Sequence, residues 1–191
     1  MRFLVDLAIA VIVAVAVGVS SAWYAVDRGR FFGAVNVGGW TAWPQEGTPD
    51  ADPYSLAMLA RTGEVPLGAG EGLSFTADVD AAGAPLAGSC AYDIVGNTPA
   101  ARLWTLTAYD ADGHLMPNVV HRAGFHSREI LRDANGDFII HAAPDPRAGN
   151  WLPIGTAGGF RLVLRLYDTP LTTGSQLADL AMPSIHKVGC S

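Results

Sequence analysis

The sequence predicts an all-β domain, an antiparallel β-sandwich or jelly roll, with an N-terminal transmembrane helix and one short docked helix. Three observations predict it. Residues Leu7 to Val26 form a run of twenty without a charge. From Gly72 onward, apolar residues recur with a period of two in short runs separated by turn signals. No helical period interrupts those runs, and strands in series without helices between them pack as sheet on sheet.

The apolar run comes first. At about 1.5 Å per residue, a helix of this length covers about 30 Å, the hydrocarbon thickness of a bilayer. In lipid every backbone N–H has to be satisfied within the segment, so a lone span has to be a helix. Trp23 and Tyr24 close the run, where amphipathic rings favour the headgroup layer. A cleaved signal peptide is the alternative: Ser20 and Ala22 are small and spaced like a cleavage site, with Leu7 to Val19 as its apolar core. Arg2 alone precedes the core and Asp6 dilutes it. Residues 1–30 are therefore read as anchor and flank, and the lipid bilayer is the partner of Leu7 to Val26. Arg2 and the amino terminus balance Arg28 and Arg30, so the positive-inside rule does not set the orientation.

Two cysteines decide the compartment. Cys90 and Cys190 are the only ones in the 191 residues, and their spacing fits no zinc, haem or redox pattern. On an exported domain they read as a disulfide tying the C-terminal tail to the sheet; two unrelated thiols are the alternative. Closing a loop of about 100 residues adds on the order of 4 kcal/mol in the chain-entropy model. Such a bond persists in an oxidising space, which places the domain in a bacterial periplasm behind a single inner-membrane span. With signal cleavage it would be secreted or periplasmic. No cysteine lies near the N-terminus, which argues against a lipid-anchored lipoprotein.

After the anchor about 160 residues remain, enough for one domain with a core. A net charge of −6 and a pI near 5.2 exclude nucleic acid as the expected partner, because phosphate binding needs a basic patch. Lys187 is the only lysine against eleven arginines; with so many Ala, Gly and Val residues this reads as genomic bias, and no function follows from it.

Residues 31–53 form a Gly/Pro-rich linker or strapped-down arm. Trp40 and Trp43 within it favour packing on the domain, since free linkers rarely carry two tryptophans. The β-sandwich domain is expected over residues 54–191. It opens on a helix that Asp52 caps, Pro53 starts and Gly63 ends, with Leu56, Leu59 and Ala60 facing the sheet. Strands follow. Leu73, Phe75, Ala77 and Val79 alternate with polar residues, and Cys90–Val95 is an apolar run. Trp104, Leu106 and Ala108 share one face of Leu103–Tyr109, and Phe138–Ala142 is short and apolar. Phe160, Leu162, Leu164 and Leu166 oppose Arg161, Val163, Arg165 and Tyr167. Turns are signalled at Asp80–Gly83, Asp110–Gly113 and Asn135–Gly136.

Between Arg102 and Leu171 the segments RLWTLTAYDADGHLMPN, RDANGDFII, GNWLP and FRLVLRLYDTPL occur in that order. As a set they resemble the domain-of-unknown-function family 1214 (DUF1214), often found beside companion family 1254 in bacterial proteins. The resemblance covers about 70 residues and implies a compact β-sandwich whose biochemical role is unassigned, with no catalytic set to carry over. An anchor and linker stand here in place of the companion domain, as in a short, membrane-tethered version.

The residues offer little chemistry. His114, His121, His126, His141 and His186 contain no H-x-H pair, so no metal site is expected. Asp110–Gly113 and Asp133–Asp137 hint at calcium loops, but glycine stands fourth and the twelfth positions are His121 and Pro144. No nucleophile elbow or Walker loop is present. No catalytic residue and no cofactor is assigned. Asn118, Arg122, Asn150, Trp151 and Arg165 are the candidate ligand-binding residues: arginine offers a planar fork for carboxylates or sugar hydroxyls, and tryptophan a flat platform. Their architectural alternative is turn-setting, core-filling and cross-strand pairing. The expected role is binding or assembly in the envelope, toward an envelope protein or a small-molecule or glycan ligand. An enzyme working with a companion-family protein is the alternative. A deep pocket gathering Arg122, a His and an Asp would favour catalysis; shallow grooves on a filled core would favour binding.

Overall fold

A computed structural model describes residues 2–28, 33–68, 70–118, 120–156, 158–173, 177 and 180–190. Arg30 and the first two residues of the expected arm lie outside them. The apolar run lies in α1 (Arg2–Arg28), which is long and apolar enough to cross a membrane or to act as a signal sequence, and buries none of its apolar window inside the protein.

The described strands form two sheets. The six-stranded sheet has the order β1 (Val35–Val37), β2 (Trp40–Ala42), β3 (Gly72–Ala77), β9 (Phe160–Tyr167), β5 (Leu103–Asp110), β6 (Gly124–His126). The four-stranded sheet runs β10 (Ser184–Cys190), β4 (Cys90–Gly96), β7 (Phe138–Ala143), β8 (Asn150–Pro153). Period-two patterning does the sorting. In β9 the even-numbered apolar residues are buried beside Trp104, Leu106 and Ala108 of β5, with Leu106 opposite Leu164 and Ala108 opposite Leu162. Tyr92, Ile94, Phe138 and Ile140 of the other sheet join the same core. Aromatic contacts cross between the sheets: Trp104 to Phe138 at 5.3 Å and Tyr92 to Phe160 at 5.7 Å, edge-on.

Part of the arm is structural. β1 and β2 form a hairpin on the edge of the six-stranded sheet. Trp40 is completely buried, and its Nε1 donates to the Pro183 carbonyl at 2.7 Å. That bond joins residues 143 positions apart and keeps the indole N–H satisfied inside the core.

Two expectations need correction. The strands are not all antiparallel, because β8 runs parallel to β7, with Ile140 opposite Asn150 and Ala143 opposite Pro153. Pro144 and Pro146 stop β7 from continuing, and Gly149 at φ +85° turns the chain back. α2 (Pro53–Thr62) starts and ends as expected, on Asp52 and on Gly63 at φ +71°. Its buried face is Ser55, Met58 and Leu59, however, while Leu56 and Ala60 are exposed. The Ser55 hydroxyl donates to the Asp52 carboxylate, so a polar residue can take the inward position without an unsatisfied group.

Three turns share one construction. In each, an Asp Oδ1 accepts from the amides two and four residues on: Asp80 from Ala82 and Ala84, Asp110 from Asp112 and His114, Asp133 from Asn135 and Asp137. The glycine three residues on adopts a positive φ of 82°, 83° and 89° in turn. Cys90 and Cys190 face each other across β4 and β10 and are joined by a disulfide.

Candidate functional site

The outward face of the six-stranded sheet is not bare. Val163 points outward between Arg161 and Arg165, yet it is buried, because chain crosses over it. Ser74 lies opposite Arg165 and Thr76 opposite Val163 on β3, and Tyr109 lies opposite Arg161 on β5. Over this floor pass Trp43–Gly47, Leu59 of α2 and the loop Glu64–Leu67. The cleft between floor and cover has a volume of about 210 Å³ and opens to solvent beside Val65.

Backbone contact holds the cover together. A Cβ on Gly47 would sit 1.9 Å from the Leu67 carbonyl oxygen, so only glycine lets these two covering segments touch. The floor is fixed by strand register and by Arg165, whose Nη1 donates to the Tyr109 hydroxyl at 3.1 Å while its guanidinium lies 5.6 Å from the ring centroid. Arg161 Nε stands 3.5 Å from the Asp78 carboxylate at the edge. Among the described residues Arg165 has no carboxylate partner. A guanidinium carries five N–H donors in a fixed fork, and Tyr109 takes one of them. Glu46 and Glu64 contribute acidic groups to the wall, Ser74 and Thr76 contribute hydroxyls, and Trp43 contributes a ring.

Of the residues singled out in the sequence, Arg165 alone lines this cleft. Three others meet elsewhere. Asn118 Nδ2 donates to the carbonyls of Met116 and Arg122 at 3.0 and 2.8 Å, and its Oδ1 accepts from the Arg122 amide at 2.9 Å. The Arg122 Nη1 donates to the Trp151 carbonyl at 3.2 Å, and its guanidinium lies 5.0 Å from the Phe125 ring centroid. Trp151 Nε1 donates to the Ala143 carbonyl at 2.9 Å. Asn150, next in the chain, is buried; it exchanges hydrogen bonds with both backbone groups of Leu131 and donates to the Ile139 carbonyl. These contacts stitch loops to strands. The sequence reading missed Trp43, Ser74, Thr76 and Tyr109. The available signal was Val163, an apolar residue on an otherwise outward face.

The histidines do not assemble around the cleft. His141 Nδ1 is 2.7 Å from Asp93 Oδ1 on the outer face of the four-stranded sheet, and His126 Nε2 is 3.4 Å from Glu129. Asp110, Asp112 and His114 bring potential metal-ligating atoms within 4.8 Å of one another. That closeness follows from the turn itself, which Asp80 builds with alanines in the corresponding positions. A wider, open groove lies further along the same sheet face, with Leu103, Tyr167 and Arg102 among its walls.

Comparison with known proteins gives the family and part of the fold. No curated protein matches the chain. The crystal structure of a protein from Vibrio parahaemolyticus superposes with a TM-score of 0.60 at 24% identity, covering 73% of this chain and 36% of that one. A putative uncharacterized protein from Burkholderia cenocepacia aligns at 15% identity with a TM-score of 0.43, covering 89% of this chain and 49% of that one. This chain thus spans about a third of the first relative's length and half of the second's. The family model described as "Protein of unknown function (DUF1214)" matches residues 71–171. That match contains β3, β5 and β9, the strands that floor the cleft, and takes in more than half of the chain: this protein belongs to the DUF1214 family.

Proposed function

We propose that this protein is a membrane-anchored binding domain of the bacterial envelope, with the two sheets packed as a β-sandwich. Its ligand is a small acid bearing hydroxyl groups, such as a carboxylated sugar, taken up in the cleft over β3, β9 and β5. The observation that carries the reading is Arg165: a guanidinium inside a covered cleft, oriented by Tyr109, with no carboxylate partner among the described residues. Charge-assisted, forked hydrogen bonds make arginine the natural partner of a carboxylate. Ser74 and Thr76 supply groups for hydroxyls, and Trp43 supplies a flat wall. The anchor reading rests on the length and apolarity of α1, and the periplasmic reading on the Cys90–Cys190 bridge.

Calorimetry on the full chain in lipid nanodiscs, against a panel of uronic and hydroxy acids, tests this. At least one acid should bind. Arg165→Gln should weaken that binding at least tenfold, the equivalent of about 1.4 kcal/mol, while Arg132→Gln, outside the cleft, should leave it unchanged. No binding by any acid, or equal binding by Arg165→Gln, would refute the assignment. Turnover of the bound acid, alone or with a companion-family protein, would turn the reading to catalysis in the same cleft.

A further inference from the structure

We propose that the outward face of α2, with the loop that follows it, lies on the lipid surface, so that the domain rests against the bilayer rather than standing off on a stalk. The inference builds on the reading of α1 as a membrane span. A surface helix in water normally opposes its buried stripe with charged residues. α2, PYSLAMLART, carries one charge in ten residues. Its buried stripe is Ser55, Met58 and Leu59; the rest of its surface presents Pro53, Tyr54, Leu56, Ala57 and Ala60, with Arg61 and Thr62 at its C-terminal end. Tyr54 is 44% exposed and Leu56 50%. Just past the helix, Val65 is 91% exposed.

The single charge of the helix itself points to the occupant; Glu64, which opens the following loop, belongs to the cleft wall. Arg61 forms an ion pair with Asp27 of α1 at 2.7 Å, and its guanidinium stands 4.4 Å from the Trp23 ring centroid. α2 is therefore fastened to the C-terminal end of α1. Trp23 and Tyr24 are themselves exposed there, and such rings mark the water–lipid boundary. An uncharged helix face held at that level meets headgroups and the first acyl carbons, as interfacial helices do. The chain is acidic overall, with a net charge of −6, so the contact draws on apolar burial and does not depend on anionic lipid.

The test uses the full chain in phosphatidylcholine nanodiscs with its native disulfide intact. Nitroxide labels are placed singly through Leu56→Cys, Val65→Cys, Val13→Cys in α1, and Leu131→Cys, a leucine on the loop before β7 whose exposure lies between those of Leu56 and Val65. Collision with oxygen, which partitions into lipid, is compared with collision with a water-soluble nickel chelate. Labels at 56 and 65 should favour oxygen, as at 13, while the label at 131 favours nickel. Labels at 56 and 65 that match 131, with 13 in lipid, would overturn the proposal and leave the span standing. Aqueous behaviour at all of 13, 56 and 65 would overturn both.

Discussion

Removing the Cys90–Cys190 bridge should cost this protein about 4–5 kcal/mol, and the structure shows where that figure originates. The two residues are 100 apart in sequence. In the chain-entropy model a closed loop of that length restricts the unfolded chain by about 4.7 kcal/mol. The folded state has little with which to compensate. β10 is an edge strand whose single buried residue is Ile185, and one such side chain contributes about 1.5–3 kcal/mol. Cys90 itself is buried while Cys190 is exposed, so the clean variant is Cys90→Ala with Cys190→Ser. For a domain of this size each kcal/mol moves the midpoint by about 2–4 °C, giving a fall of about 8–20 °C. Thermal and urea unfolding of the full chain in nanodiscs, followed by tryptophan fluorescence, would read the shift, and hydrogen exchange should show protection lost first in β10. A midpoint within about 1 kcal/mol of the parent, or a parent indifferent to reductant, would mean that the bridge does not restrain the unfolded chain.

Two further outcomes follow from local contacts. Trp40→Phe should destabilise by about 1–3 kcal/mol, because the Pro183 carbonyl loses its buried donor, and Trp40→Ala by about 3–5 kcal/mol through the added cavity; a free linker would give changes within about 0.5 kcal/mol in the same urea titration. The Asp52 carboxyl is held below its ordinary value, first by the Ser55 hydroxyl and then by the Ser55 and Tyr54 amides. Its contribution is therefore present above the ordinary carboxylate range and fades as pH falls through the lowered folded value. Stability measured against pH should separate the parent from Asp52→Ala at neutral pH and bring the two together in acid.

Which elements could be read from the sequence follows from how each is buried. β3, β5 and β9 bury one face along six or more residues, so alternation is written into them. α2 was legible from its caps, although its inward face was not, because Ser55 turns inward under the cover of Asp52. β6 and the β1–β2 hairpin are three residues per strand, too short to show a period. β10 buries one side chain and so has no pattern to display. β8 runs NWLP, with a proline at its end, and is placed by Asn150 bonds to Leu131 and Ile139 rather than by alternation. The cleft was legible in one residue. Arg165 stood out by type, but its neighbours Trp43, Ser74 and Tyr109 come from three other segments, which only the sheet register and the covering arm bring together.

The proposed function requires a domain that has crossed a membrane, stayed attached to it and closed its sulfur bridge there. Intact-mass spectrometry of the native protein from fractionated cells, alkylated before and after reduction, tests this most directly. The expected result is the uncleaved chain in the membrane fraction, with both thiols blocked until reductant is added. The full chain in the soluble cytosolic fraction, alkylated at Cys90 and Cys190 without reduction, would contradict it.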